Sequence, residues 1–293
     1  MDYVDIIKKY IKDSVSIEEI SHTSNIVFKV VRENNEVLYA KFYLNNSSHI
    51  DHEMNLYKLV DNKYLKEVVC TSNSPKMAIF KELKGTTIDE LSLDDKDKYS
   101  DLIIDSLYEF FESIASIKVN GYGLLNENME GTSDSFIEFL NTRQKGTALN
   151  LKDYPFLSNL FDLICSKYKD IIISDNSLIP IDTNMKNIML TDKEEIKFID
   201  PGELISAPKL MGYGDFVAHT YKTVLYDKLI KKLNLTKDEE KLLRIYAIFS
   251  SLNILSFLHN LGVDNLKEVI PFGNTYTFYE LIEEHAKYLE LNK

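Results

Sequence analysis

Apolar and polar positions over the first 84 residues follow strand periodicity more than helix periodicity. Runs rich in apolar, β-branched and aromatic residues occur at 26–31, 36–43, 67–71 and 77–83. Polar turn residues separate the members of each pair, so the pattern predicts two β-hairpins. A short amphipathic helix is predicted over 2–13, and a second helical stripe falls within 49–62. The N-terminal part is therefore predicted to be an antiparallel sheet with helices beside it.

Beyond residue 84 the dominant period is helical. Apolar residues recur at three- and four-residue steps over 97–118, 154–168, 237–261 and 276–291. A further helix is expected to start within 86–91, where Thr87 or Asp89 is available as its N-cap. The exception to the helical period is a pair of short apolar runs, 187–190 and 196–199, with a charged turn between them. This pair predicts a third hairpin.

Three polar residues stand next to the third hairpin. Asp182 lies five residues before Asn187, which opens the first strand, and Asp200 directly follows the second strand. The spacing of Asp182 and Asn187 recurs by chance in a chain rich in both residue types, and turn capping is the ordinary explanation for it. The hairpin and Asp200 favour another explanation, in which Asn187 and Asp200 hold a divalent metal while Asp182 accepts a proton. Phosphoryl transfer requires those parts.

The stretch 180–200 resembles the catalytic segment of the aminoglycoside phosphotransferases and choline kinases, which are small-molecule kinases related to the protein kinases. Their segment runs roughly H-G-D-x-x-x-x-N, then a hairpin, then I-D. The corresponding residues here are Pro180-Ile181-Asp182, Asn187 and Ile199-Asp200. Pro180 and Ile181 therefore stand where the family has histidine and glycine.

This resemblance implies a two-lobed α+β fold of the protein-kinase type. An N-terminal antiparallel β-sheet lobe with its C-helix would cover 1–84, and a larger, mainly helical lobe would cover 85–293, with a hinge at about 80–85. Two further matches to the family are Gly-Tyr-Gly at 121–123 and Asp215. Asp215 is expected to be an N-cap and a brace for a loop rather than a catalyst.

The resemblance also implies a role for each residue beside the third hairpin. Asp182 would orient and deprotonate the hydroxyl of an acceptor. Asn187 and Asp200 would hold one or two Mg²⁺ ions, and the phosphoryl donor would be ATP.

Lys41 is the residue of the second strand that the resemblance assigns to the nucleotide. A single strand lysine is ordinarily exposed at a sheet edge, but Lys41 is followed twelve residues later by Glu53 on the next predicted helix. The family pairs such residues, because the ammonium that binds the α/β-phosphates must be aimed as well as present. Asp51 is the alternative partner by proximity, and the longer Glu53 matches the family pattern better.

The rest of the nucleotide site is expected in two places. The loop before the strand at 26–31 keeps the Ser24-Asn25 of the family but has no glycine, so its hydroxyl and N–H groups would contact phosphate less closely. The hinge would begin at Lys81, with Phe80 and Leu83 shaping the adenine slot. Because adenine is bound by main-chain groups, the sequence does not separate ATP from GTP.

Composition narrows the classes of partner. The 293 residues include 46 acidic and 34 basic side chains, for a net charge of −12. This balance, with no basic run, argues against a nucleic-acid partner and is compatible with a cationic acceptor. Neither a membrane-spanning run nor a signal peptide is evident, so a cytoplasmic protein with unpaired, buried thiols at Cys70 and Cys165 is expected.

These patterns predict an ATP- and Mg²⁺-dependent phosphotransferase acting on a hydroxyl of a small molecule. An aminoglycoside or another cationic antibiotic fits as the acceptor, and choline or a sugar fits almost as well. Glu280, Glu283 and Glu284 are candidate acidic contacts, although clustered glutamates usually form the solvent face of a helix. The alternative function is a catalytically impaired, nucleotide-binding regulatory module. The sequence leaves the oligomeric state open.

Overall fold

The computed structural model describes residues 2–22, 25–44, 47–60, 62–126, 128–172, 175–202 and 204–291. Its N-terminal part contains an antiparallel sheet with the strand order β1-β2-β3-β5-β4. The elements of this part are α1 Tyr3–Tyr10, β1 Ser14–His22, β2 Asn25–Arg32, β3 Val37–Tyr43, α2 Ser47–Leu59, β4 Val68–Asn73 and β5 Lys76–Lys81. The predicted antiparallel sheet is confirmed, with one strand added at its edge.

The added strand is β1, which the hydrophobic pattern did not predict. Its residues lie exposed or half-buried along the whole strand, in register with β2, where Ile17 pairs with Val30. An edge strand of this kind owes its place to backbone hydrogen bonds rather than to an apolar face. The alternation of apolar and polar residues is then too weak to reveal it.

Both faces of this sheet are covered, and the two faces of β3 pack against different helices. Leu38, Ala40 and Phe42 of β3 enter a core beneath α1, which contributes Ile7. Because strand side chains alternate, Lys41 points to the opposite face, toward α2. Lys41 is accordingly buried between sheet and helix, not exposed at an edge.

The remaining elements are mostly helical. They are β6 Gly85–Thr87, α3 Leu93–Lys98, α4 Ser100–Ala115, β7 Tyr122–Leu125, β8 Gly131–Ser133, α5 Phe136–Asn150, α6 Pro155–Tyr168, β9 Ser177–Pro180, β10 Ile188–Thr191, β11 Ile196–Phe198, β12 Leu204–Ala207, α7 Lys209–Thr220, α8 Val224–Leu233, α9 Lys237–Asn260 and α10 Phe278–Tyr288. One large core joins these helices, and Leu56 and Val60 at the end of α2 also enter it.

The expected helix start within 86–91 is wrong. Residues Gly85–Thr87 form β6, which pairs antiparallel with β10 through Thr87 and Met189. The next helix begins at Leu93, where the Ser92 side chain accepts the N–H of Asp95 as the N-cap. Thr87 is β-branched and finds strand partners about a hundred residues away, which a local pattern cannot reveal.

The long helix α9 runs through the centre of the helical part. A capping box between Thr236 and Glu239 fixes its first turn. By length and composition alone α9 could cross a membrane, but 67% of its most apolar window is buried inside the protein. Its apolar character therefore matches that of a core helix packed against α5, α7 and α10.

Cys70 and Cys165 are free thiols, each partly buried rather than fully buried.

Candidate active site

Asp182 lies in a short loop between β9 and a 3-10 turn at Met185–Asn187. Its backbone is left-handed, with φ at 72°. The Asn184 amide donates to the Asp182 carboxylate at 2.6 Å, and the Asn187 amide donates to the Asp182 carbonyl oxygen at 2.9 Å. Asp and Asn tolerate the left-handed region better than most residues. The loop thus holds the carboxylate in one orientation.

Asp215 braces this loop from α7. Its carboxylate accepts the Thr183 N–H at 2.7 Å and the Thr183 hydroxyl at 2.9 Å, and it also accepts the hydroxyl of Ser250 on α9. The expectation that Asp215 is an N-cap is wrong, because α7 begins six residues earlier, after Pro208. Its predicted contact with a loop is present and is made from the buried middle of the helix.

The pKa of Asp182 is set by opposing influences of its surroundings. Its carboxylate meets solvent on the open side but lies low in a cleft, and this partial burial, with the negative charges of Asp215 and Asp200, raises its pKa to about 7. The amide donors of Asn184 and Asn187 act in the opposite direction. A carboxylate with a pKa near neutrality is suited to general base catalysis.

Lys41 joins α2 to the third hairpin. Its Nζ lies 3.2 Å from Oε2 of Glu53 and 3.1 Å from Oδ1 of Asp200. Glu53 rather than Asp51 is therefore its partner on α2; Asp51 pairs with Lys76 at 3.1 Å. Burial alone would lower the pKa of Lys41, but the two carboxylates hold that pKa above its ordinary value. The ammonium stays charged at the mouth of a cleft.

Glu53 is itself buried and is held by more than Lys41. The Tyr43 hydroxyl donates to Oε2 at 2.5 Å, and Nζ of Lys66 lies 3.6 Å from Oε1. Burial would raise the pKa of Glu53, but Lys41, Lys66 and Tyr43 together keep it below the usual range. Burial, together with the charge of Lys41, lowers the pKa of Lys66, whose Nζ also lies 3.7 Å from the centroid of the Phe80 ring.

Asn187 and Asp200 meet at the base of the hairpin. Ile188 pairs with Phe198, and one step further the Ile199 N–H donates to the Asn187 carbonyl oxygen at 2.9 Å. Of the described residues, no group of three His, Cys, Asp or Glu side chains is close enough to hold a metal by itself. An amide oxygen and a carboxylate beside a phosphate site fit Mg²⁺, which commonly takes one or two protein ligands and fills its other positions with phosphate oxygens and water.

A cavity of about 430 Å³ opens between the sheet and the hairpin. Residues predicted for nucleotide and metal binding that line it are Asn25, Lys41, Phe80, Lys81, Leu83, Asn187 and Asp200. The ammonium of Lys81 is paired with Glu67 at 2.6 Å, so this side chain lies at the cavity edge. Glu53 lies behind Lys41, and Ser24 is outside the described residues.

Asp182 opens on a second cavity, of about 580 Å³, on the other side of the loop. Asn184 and Asp215 line it with Asp182, and α9 and the segment 263–272 form its opposite wall. The two cavities are linked through one contact, because Asn187 lines the first and donates to the carbonyl oxygen of Asp182, which lines the second. A nucleotide in the first cavity and an acceptor in the second would have the loop between them.

Sequence reasoning missed several residues that support this arrangement: Tyr43, Lys66, Thr183, Asn184 and Ser250. Asn184 carried a weak signal, since Asp-x-Asn favours a tight turn. Lys66 and Ser250 carried none, because they reach Glu53 and Asp215 only through tertiary packing. Pro180 ends β9, opposite Leu204 of β12, and the loop after it is held by Asp215 without a histidine.

Comparison of the sequence with models of known families finds no match. No curated protein is similar to the chain in sequence at a significant level. The fold, however, matches solved structures over nearly the whole chain.

An aminoglycoside phosphotransferase APH(4)-Ia, solved as a thermostable mutant in a ternary complex with ADP and hygromycin B, matches with a TM-score of 0.71 and 11% identity, over 98% of this chain and 96% of that chain. The choline kinase LicA from Streptococcus pneumoniae matches with a TM-score of 0.67 and 13% identity, over 100% of both chains. A choline/ethanolamine kinase family protein from Mesorhizobium loti matches at 0.64 and 12%, over 98% and 94%. The predicted two-lobed kinase-like fold is thereby confirmed.

Proposed function

We propose that this protein is a small-molecule kinase that transfers the γ-phosphoryl group of ATP to a hydroxyl of its acceptor. One observation carries the proposal: Lys41 bridges Glu53 and Asp200 inside a cavity that Asn187 shares, while Asp182 lies at the boundary with a second cavity. These residues match the parts of a phosphoryl-transfer site one by one.

In the proposed reaction the chain's residues position two substrates and move one proton. The acceptor hydroxyl hydrogen-bonds to the Asp182 carboxylate, which takes its proton as the oxygen attacks the γ-phosphorus. A new O–P bond forms, the bond from the γ-phosphorus to the β,γ-bridging oxygen breaks, and ADP leaves. Lys41 holds the α- and β-phosphates, and Glu53 keeps its ammonium aimed. Asn187 and Asp200 would hold Mg²⁺, which neutralises developing charge on the phosphates.

The two cavities support separate binding sites for the nucleotide and the acceptor. The first is lined by Phe80 and Leu83 near the end of β5, where an adenine ring would lie between apolar surfaces. Because the purine would be bound by main-chain groups of the hinge, ATP is the proposed donor with GTP left to direct comparison. The APH(4)-Ia and LicA structures include complexes with AMP-PNP, ADP and AMP.

The nucleotide half of the proposal is tested by thermal shift with ATP and Mg²⁺. Wild type and Asp182→Asn are expected to gain stability with ATP and Mg²⁺ and to lose the gain with EDTA. Lys41→Met is expected to show no gain in stability with ATP, either with Mg²⁺ or with EDTA, because the ammonium proposed to contact the phosphates is removed. Lys76→Met is the matched control, since Lys76 is also a strand lysine paired with a carboxylate but lies outside the cavity. No gain in the wild type would refute nucleotide binding.

The regulatory module remains the competing function. Such a module would bind nucleotide in the same cavity as the kinase but would not phosphorylate an acceptor. Binding of ATP and Mg²⁺ without acceptor-dependent ADP release, across acceptors of every class tested, would favour it over the kinase.

A further inference from the structure

The second cavity, which we call the acceptor cavity, has walls from four helices and a loop. Arg143 of α5, His219 of α7, Ile254 of α9 and Phe278 of α10 line it, together with the segment 263–272. Its volume of about 580 Å³ falls within the range of sites that enclose drug-sized ligands. A molecule the size of choline would leave most of it unfilled.

The walls and rim of the acceptor cavity are mainly apolar. Ile254 and Leu258 of α9 and Val269 of the loop form the interior wall. Three large apolar side chains at the opening remain well exposed: Phe257 is 61% exposed, Ile270 49% and Phe272 53%. Exposed apolar side chains around a concave cavity are typical of a binding site for an apolar molecule.

Two carboxylates, Asp182 and Asp215, are among the described residues that line the cavity, and each already has another role. Both oxygens of Asp215 already accept hydrogen bonds from Thr183 and Ser250, so Asp182 is the remaining acid. Asp182 has to receive the hydroxyl proton. Arg143 also lines the cavity. An acceptor with several ammonium groups would place most of them against apolar walls rather than against these two carboxylates, which is costly.

The glutamates predicted as acidic contacts are engaged elsewhere. Glu280 belongs to the capping box of α10 with Thr277, and Glu284 contacts Tyr221 and Lys222. Glu283, like these two, is not among the described residues that line the cavity. The acidity of the chain as a whole is therefore not concentrated where the acceptor would bind.

Two of the described aromatic rings that line the cavity, Phe272 and Phe278, are not open to a quaternary ammonium group. Nζ of Lys186 lies 3.3 Å from the centroid of the Phe272 ring, so a cation of the protein already covers that ring face. The His219 ring stands edge-on to Phe278 with centroids 5.7 Å apart. Cation–π recognition needs open ring faces arranged around one point.

One polar group suits an uncharged oxygen. His219 is buried, lines the acceptor cavity, and its Nδ1 makes no hydrogen bond with any described residue. Burial lowers the pKa of His219, so the imidazole is neutral and can donate to or accept from a hydroxyl or carbonyl. A buried polar atom without a partner is a natural contact for a ligand.

We propose that the acceptor is an uncharged, drug-sized alcohol with an apolar body, whose reacting hydroxyl meets Asp182 and whose second oxygen meets His219. The inference rests on the proposed function, since it identifies the acceptor of the same site. It replaces the cationic acceptor that the composition suggested.

The experiment measures binding of the neutral, apolar dye N-phenyl-1-naphthylamine by fluorescence. The double variant Phe257→Asp/Ile270→Asp is expected to bind the dye at least about tenfold more weakly, because two exposed apolar contacts at the rim are lost. Leu261→Asp is the matched control, since Leu261 is 66% exposed at the end of the same helix as Phe257 but does not line the cavity. Equal binding by all three proteins, or none by the wild type, would overturn the inference.

Competition on the wild type gives a second result that needs no variant. Farnesol, a neutral steroid alcohol and a neutral macrolactone represent the proposed class, and hygromycin B and choline represent the cationic classes. At least one neutral alcohol is expected to displace the dye and to stimulate ADP release. Stimulation by hygromycin B or choline alone would overturn the inference and leave the proposed kinase standing. Displacement by neutral alcohols without ADP release would support the cavity assignment and count against the kinase.

Discussion

Asp182 combines two properties that a general base needs and that ordinarily oppose each other. It has a fixed orientation, from the two asparagine amides and the left-handed backbone, and a raised pKa, from partial burial beside Asp215 and Asp200. The amides stabilise the carboxylate, and the neighbouring charges destabilise it. The balance leaves a group that is ionised at slightly alkaline pH and still basic enough to take a proton.

A pH profile is the first prediction at the residue scale. The pKa of Asp182 is raised to about 7, and only the ionised form accepts the hydroxyl proton. We expect kcat/KM to rise with pH through about 7 and to level off above it, because this ratio reports the free enzyme. A profile that is flat from pH 5.5 to pH 8.5 would contradict the assignment of Asp182 as the base.

Replacement of Asp182 by asparagine is the second prediction. Turnover should fall by about 10²- to 10⁴-fold, the range for losing a general base. The raised pKa also means that ionisation of Asp182 opposes folding as pH rises from about 4 to about 7. Asp182→Asn should therefore be more stable than the wild type at pH 8, by a margin that shrinks toward pH 4 in thermal melts. A variant less stable at pH 8 would show that the carboxylate has a structural role.

Lys66 supports the third prediction. It contacts Glu53, which is paired with Lys41, and it also lines the cavity proposed for the nucleotide. Lys66→Met should raise the KM for ATP by roughly tenfold, the effect of about 1.4 kcal/mol, with a smaller change in kcat. Lys58→Met, on the exposed side of the same region, is the control. A lower melting temperature with an unchanged KM would mean that Lys66 serves only stability.

At the element scale, the hairpin of β10 and β11 and the turn after it bring Asn187 and Asp200, the proposed metal ligands, close to the Asp182 loop. Gly202 lies where the turn after Asp200 contacts the loop of Asp182. Its φ is 72°, and an added Cβ would lie 1.8 Å from the carbonyl oxygen of Ile181, directly before Asp182. The turn after Asp200 therefore touches the loop that holds the base, and only glycine allows that approach without strain.

Gly202→Ala is the prediction at this scale. The backbone of either the turn or the loop must shift, so both nucleotide affinity and turnover should fall, with a loss of stability of about 1–3 kcal/mol. Gly146→Ala is the control, because it lies in α5 with nothing near its added Cβ and should be neutral or stabilising by up to about 1 kcal/mol. Urea unfolding and initial rates measure both effects. Equal behaviour of the two variants would argue against this contact between the turn and the loop.

How far the elements could be predicted depended on whether their pattern was local. The third hairpin was predictable because both of its strands and its turn are contiguous, and Asn187 and Asp200 then had to share one end. The strand β6 could not be predicted, since its partner β10 is distant in sequence. The position of Asp215 inside α7 was missed because the helix begins at Lys209, behind a proline that carries no capping signal.

The pairing of Lys41 with Glu53 could be anticipated only through the family resemblance. Twelve residues separate them, and nothing in composition or periodicity requires the two side chains to meet. Lys66 and Tyr43, which complete the same cluster, have no counterpart in a local pattern. Their roles depend on which faces of β3 and α2 are buried against each other.

At the scale of the whole molecule, the fold and the acceptor cavity carry different information. The fold is shared with APH(4)-Ia and LicA at 11–13% identity. That likeness extends over nearly the whole chain but does not determine what the acceptor cavity binds, since this cavity is lined by side chains of α7, α9, α10 and the segment 263–272. The apolar lining of the cavity could not be predicted, because its residues come from elements that are far apart in sequence and each looked like ordinary core.

A search for the phosphorylated product tests directly whether the protein is a kinase. The full chain is incubated with ATP labelled at the γ-phosphorus, Mg²⁺ and mixtures of neutral and cationic alcohols, and products are separated and identified by mass spectrometry. We predict a labelled phosphate monoester of an acceptor, formed by the wild type and not by Asp182→Asn. Label appearing only as inorganic phosphate, or in equal amounts with both proteins, would contradict the account.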